Sequence, residues 1–168
     1  KDLHIPAGRS VSFNWYVDDG TGMRWDISAN GQVSDGSNDA YDGGLQLRVG
    51  GTFFAPSTSE GRLNTDGREV EIGPWRQGEI QVYRRIYVDP KAGYCRWIDM
   101  FENTGKAAQD VAIQYYSNMG GTINLVATTS GAGTLADKDW GIVTAGSDTS
   151  TARPAVAHVY GDKNARMK

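Results

Sequence analysis

Apolar and polar residues alternate with a period of two along much of this chain. Val11, Phe13 and Trp15 share one face of the stretch from Ser10 to Val17. Leu45, Leu47 and Val49 repeat the pattern, and Val70 and Ile72 alternate with Glu69 and Glu71. The longest alternations run from Glu79 to Val88 and from Tyr94 to Glu102, joined by Asp89-Pro-Lys-Ala-Gly93. Two such runs with a short Pro/Gly loop between them predict a β-hairpin. After the turn Asn103-Thr-Gly105, the stretch from Gln109 to Tyr116 returns as a strand with Val111, Ile113 and Tyr115 on one face. Shorter strands are expected at 23–28, 123–129, 140–144 and 155–160. No stretch of ten or more residues has a helical period, and only Ala132 to Asp139 suggests a single helical turn.

This pattern predicts an all-β protein with little or no helix: about ten or eleven short strands in one antiparallel two-sheet β-sandwich. A lone sheet would leave the apolar face of the long hairpin in water, and covering it takes a second sheet about 10 Å away. The 168 residues suit one domain spanning 1–168, without internal repeat, low-complexity tract or linker. There are 22 glycines, about twice the usual share, which fits a chain with many tight turns. Trp15, Trp25, Trp97 and Phe101, each flanked by polar residues, are expected to pack in the core.

Charge narrows the partners. Seventeen basic and twenty acidic residues leave a net charge of −3, with no basic run of the kind that nucleic acid binding requires. No apolar run reaches the length of a membrane span. Cys95 is the only cysteine, so no internal disulfide forms, which is compatible with a reducing compartment and with bacterial export. The chain opens on KDLHIPAGRS without an initiator Met and is read as a mature protein or an excised domain.

The segment from Val82 to Gly105, VYRRIYVDPKAGYCRWIDMFENTG, resembles a block of large β-sandwich domains in bacterial exported proteins. Thr128-Thr-Ser-Gly131 and Asp139-Trp-Gly-Ile-Val-Thr144 add to the likeness. The resemblance implies a supersandwich-like or mutarotase-like fold, often an accessory domain of a longer protein at the cell surface or outside the cell. It brings no catalytic residues.

Signals for catalysis are sparse. There is no G-x-S-x-G and no phosphate loop. His4, Cys95 and His158 are too scattered for a zinc motif, although a closed sandwich could bring His4 and His158 together and a Cys95–His pair stays open. The carboxylates Asp26, Glu60, Glu69, Glu71, Asp99 and Glu102 are candidates for a facing pair, as sugar hydrolysis needs. Asp99 and Glu102 fall on opposite faces of one strand, and Glu69 and Glu71 share a face expected to be wet.

Two stretches suggest binding instead. In DGSNDAYDGG, residues 35–44, oxygen ligands crowd together, and Asp35, Asn38, Asp39 and Asp42 could hold calcium. The EF-hand pattern is broken, because Ala40 and Gln46 stand where Gly and Glu belong and no helices flank the loop. A polar turn built on Asx geometry explains the same residues. Trp75, between Gly73-Pro74 and Arg76-Gln77-Gly78, is expected in a loop. With Arg76 and with Tyr41 of the acidic loop it could stack on a sugar ring or meet a protein partner. The expected function is a non-catalytic binding or accessory module taking a glycan or a protein. A self-assembling subunit and a small carbohydrate-active hydrolase or lyase are the alternatives.

Overall fold

The computed structural model of the protein describes residues 3–6, 8–147 and 153–162. The expected domain, 1–168, extends beyond them at both ends. Among the described residues there are thirteen strands and no helix. They are β1 Arg9–Ser12, β2 Trp15–Asp18, β3 Arg24–Ile27, β4 Gln46–Val49, β5 Thr52–Phe53, β6 Glu60–Leu63 and β7 Glu69–Gln77. There follow β8 Ile80–Val88, β9 Cys95–Asn103, β10 Ile113–Tyr116, β11 Ile123–Thr128, β12 Gly141–Gly146 and β13 Val156–Val159. Every ladder is antiparallel.

The all-β, antiparallel expectation therefore holds. The strand number and grouping differ: thirteen strands lie in four sheets, ordered β1-β6-β7-β8-β9, β10-β4-β5, β11-β12-β13 and β2-β3. One cause is the break at Phe13-Asn14. It sends Val11 to pair with Gly61 of β6, while Trp15 pairs with Ile27 of β3. Sequence periodicity missed β5 and β6, since β5 has two residues and β6 offers only Leu63 as a large apolar group.

The long hairpin β8–β9 is the frame, with β7 on its other flank. On the inner face Val70 opposes Ile86, Ile72 opposes Arg84, and Trp75 opposes Val82. Val70, Ile72, Val82, Ile86 and Val88 join one buried cluster with Trp15, Ile27, Leu47, Val49 and Phe54. Each such side chain contributes about 1.5–3 kcal/mol by leaving water. The ladder of β7 skips between Ile72 and Trp75. Gly73 sits there at φ 123°, and a Cβ would come within 2.7 Å of the Val82 carbonyl oxygen, so the bulge requires glycine.

One inner-face position breaks the apolar pattern. Alternation turns Arg84 inward, and it is fully buried. Its Nε donates to Asp99 Oδ1 at 2.8 Å across the β8–β9 ladder, and its Nη1 donates to the Leu45 carbonyl at 2.9 Å. The charge at that depth is offset by the Asp99 carboxylate and by bonds from Nε and Nη1, while Arg84 Nη2 and Asp99 Oδ2 are buried without a hydrogen-bond partner.

Glu69 and Glu71, on the outer face of this sheet, do not face water, contrary to expectation. Both are buried. Arg85 Nη2 meets Glu69 at 2.7 Å, and the segment 3–6 lies over Glu71. A run of two glutamates reads as solvent-facing only while nothing is known to cover it.

Residues 132–139 form no helix. The turn there is closed by the Asp139 N–H donating to the Ala136 carbonyl at 2.8 Å. The Asp139 carboxylate accepts from the backbone N–H of Ser130 at 2.7 Å and of Ala136 at 2.9 Å. Burial alone would raise the Asp139 pKa. Hydrogen bonds from Ser130, Ala136 and Thr129 outweigh it and hold the value at about 2. Its folded value lies below the ordinary 3.8, so its stabilisation is complete above that value and is lost as pH falls towards about 2. Asp139→Asn is expected to remove this acid-sensitive step. Amide exchange of residues 128–140 across an acid titration checks it, and an unchanged acid profile would refute the assignment.

Candidate functional site

The turn of residues 89–93 meets the turn of residues 19–22. The Gly20 N–H donates to the Asp89 carbonyl at 3.0 Å, and a Cβ on Gly20 would run into the Lys91 backbone. This close approach brings the start of β3 beside the start of β9. On the far side β13 faces both. Between them opens a cleft of about 780 Å³, within the size range of small-molecule sites.

Aromatic residues stand in its walls: Trp25 from β3, Tyr94, Trp97, Tyr115, and Tyr160 just after β13. Trp25 and Trp97 meet edge to face, 6.1 Å between centroids. Trp97 is fixed further by its Nε1–H, which donates to the Gly31 carbonyl at 2.9 Å. Tyr94 is 45% exposed and Tyr160, stacked on His158, 39%. Polar groups stand among them: Asp19, Thr21, Arg24, Ser37 and Arg96.

Asp19 is a turn-former within the cleft wall. Its Oδ1 accepts from the Thr21 N–H at 2.8 Å and the Thr21 hydroxyl at 2.7 Å, and its Oδ2 accepts from Trp25 Nε1 at 3.0 Å. Burial works to raise its pKa, but these bonds prevail and hold the carboxyl below its ordinary range. Among the described residues Asp19 is the one carboxylate lining the cleft, and they assemble no facing acid pair of the glycosidase kind there.

Cys95 and His158 both line the cleft. Burial pushes the Cys95 thiol well up and the His158 imidazole down, leaving a protonated thiol and a neutral ring. That is the reverse of a thiolate–imidazolium pair. His158 stacks on Tyr160 and faces the edge of Tyr41 at 6.0 Å. His4 lies on the outer face of the five-stranded sheet, between Glu71 and Glu102.

The residues expected to bind ligand are separated. Tyr41 lines the cleft but is only 3% exposed, and burial pushes its phenol pKa up. Trp75 belongs to β7 rather than to a loop, and its ring meets Phe54 edge to face at 5.6 Å in the core cluster. Arg76, on the opposite face, is exposed and donates to Gln81. Neither Trp75 nor Arg76 lines the cleft.

The acidic loop is organised from outside itself. Asp26, buried in β3, accepts from the Gly36 N–H at 2.8 Å and from the Asp35 N–H at 3.2 Å. Asn38 and Asp39 take left-handed backbone angles, as Asx residues do readily. The Asp39 carboxylate meets Arg153 Nη2 at 2.7 Å, and its carbonyl accepts from Arg153 Nε at 3.2 Å. The Asp42 N–H donates to the Asn118 carbonyl at 2.9 Å. The loop thus holds the segment leading into β13, and so the far wall of the cleft. Among the described residues no group of three or more His, Cys, Asp or Glu is placed to hold a metal ion.

Sequence reasoning assigned Trp25 and Trp97 to the core and passed over Tyr94 and Tyr160. A tyrosine directly after a Pro/Gly turn was the available signal for Tyr94. Comparisons with protein-family models, with curated proteins and with solved structures find no match to this chain. Among the described residues no helix is long and apolar enough to cross a membrane.

Proposed function

We propose that this chain is a non-catalytic binding module that takes a glycan in the cleft between β3, β9 and β13. The observation that carries the reading is the cleft itself. Tyr94 and Tyr160 stand part-exposed at its surface, with hydroxyl, carboxylate and guanidinium groups between the aromatics. Sugars present an apolar ring face and a rim of hydroxyls, and this combination of groups suits both. The module reading fits the resemblance of residues 82–105 to accessory domains of bacterial exported proteins, and with it goes the proposal that the protein works at the cell surface or outside the cell. In the same reading the sheets β2-β3 and β10-β4-β5 act as the second layer of a sandwich. The single buried cluster shared by β2, β3, β4, β7 and β8 supports that grouping.

Titration calorimetry against a panel of neutral and acidic oligosaccharides tests the proposal. At least one member is expected to bind, with Tyr94→Ala and Tyr160→Ala each weakening it by about tenfold or more while the melting midpoint stays near wild type. No binding across the panel, or binding that ignores both substitutions, would overturn it.

A further inference from the structure

β9 ends the five-stranded sheet, and among the described residues it pairs only with β8. Two backbone bonds set which of its groups face outward. The Asp89 N–H donates to the Tyr94 carbonyl and the Thr104 N–H to the Glu79 carbonyl, one at each end of the β8–β9 ladder. With the unbroken register between them, even-numbered residues of β9 bond to β8. Cys95, Trp97, Asp99, Phe101 and Asn103 therefore turn their N–H and C=O groups to the free edge. Nine residues is long for an edge strand. The strand holds no proline, no lysine and no bulge, and its charges are Arg96, Glu102 and Asp99, the last turned inward onto Arg84. Ile98 and Phe101 are each 38% exposed along it.

We propose that this edge pairs antiparallel with the same edge of a second copy, about a two-fold axis at Asp99. Asp99 meets its own copy on the axis, with its carboxylate turned away onto Arg84, and the rest of β9 is self-complementary in that register, the one that overlaps the whole strand. Arg96 falls opposite Glu102 of the second copy, and Ile98 falls opposite Met100. On the other face Trp97 falls opposite Phe101. Each of these contacts occurs twice, as a two-fold interface demands. Opposite charges and apolar pairs directly across a ladder stabilise it, and like charges there oppose it. The side chains of Arg96 and Glu102 are 52% and 47% exposed, and pairing across the interface would add to or replace their contacts within the chain, to Glu69 at 3.5 Å and to His4 at 3.2 Å. Charge complementarity selects a second copy over an unrelated strand.

The test is sedimentation velocity on the whole chain, with charge reversals at the two ends of β9. Wild type is expected to dimerise with increasing concentration. Arg96→Glu and Glu102→Arg are each expected to weaken the dimer by about tenfold or more. An equimolar mixture of the two variants restores it, because opposite charges then face each other again. Phe101→Pro, which deletes an outward donor and leaves the β8 ladder bonds in place, is expected to give a monomer. Wild type that stays monomeric up to about 1 mM would overturn the proposal. A dimer indifferent to all three variants would place the interface elsewhere and overturn it equally.

Discussion

Asp99→Ala is expected to destabilise the fold by about 3–5 kcal/mol, read as a lower midpoint in urea at an unchanged slope. The change leaves Arg84 charged, fully buried and without its carboxylate. The Arg84 guanidinium would keep its bonds to the carbonyls of Leu45 and Asn30, which satisfy hydrogens but carry no countercharge. Tyr115 would respond as well. Burial, and after it the Asp99 charge, push its phenol pKa up, so the tyrosine should titrate lower in the variant. Replacing the pair together, Arg84→Met with Asp99→Leu, is expected to recover most of the loss, since apolar groups of similar volume often match a buried ion pair. A single variant within about 1 kcal/mol of wild type would show that Arg84 is hydrated in solution.

The sequence carried the long hairpin plainly, because β8 alternates over its whole length and Asp89 to Gly93 can only turn. It also separated Asp99 from Glu102 correctly. It did not reveal that Asp99 faces the core, since an arginine inside an alternating strand looks the same whether a partner waits across the ladder or not. The cleft was illegible for a related reason. Its walls come from β3, β9 and β13, three short segments far apart in the chain, and nothing in their local pattern says that they meet. The acidic loop was read for its own carboxylates. The groups that organise it, Asp26 and Arg153, lie outside it and act through space. Trp75 was misplaced because Gly73-Pro74 looks like the start of a loop, whereas here it forms a bulge within one strand. Local composition marks turns well, but it cannot tell a bulge from a break.

Coverage of the outer sheet face by the segment 3–6 leads to the last expected result. Glu71→Ala should cost about 2–3 kcal/mol and release that segment. The Glu71 carboxylate accepts from the Ile5 N–H at 2.9 Å and meets His4 Nδ1 at 3.2 Å, and Ile5 is buried. Arg62 holds the same segment through the Ile5 carbonyl, and Arg85 through the Leu3 carbonyl. His4 also meets Glu102 at 3.2 Å and rests edge-on against Tyr83. Burial works to lower the His4 pKa, but its bonds to Glu102 and Glu71 outweigh that, and the net shift is upward from 6.5. A raised folded value stabilises below the unfolded one and is lost as pH climbs through the folded one. The segment should therefore be held most firmly in acid and loosen on the alkaline side of the raised His4 pKa. Amide exchange at Ile5, corrected for the intrinsic rise of exchange with pH, should show protection falling across that window in wild type. In His4→Gln the fall should vanish while Glu71 still binds the Ile5 N–H. Equal protection at all pH values in wild type would mean that the two glutamates and their arginines hold the segment without help from the imidazolium.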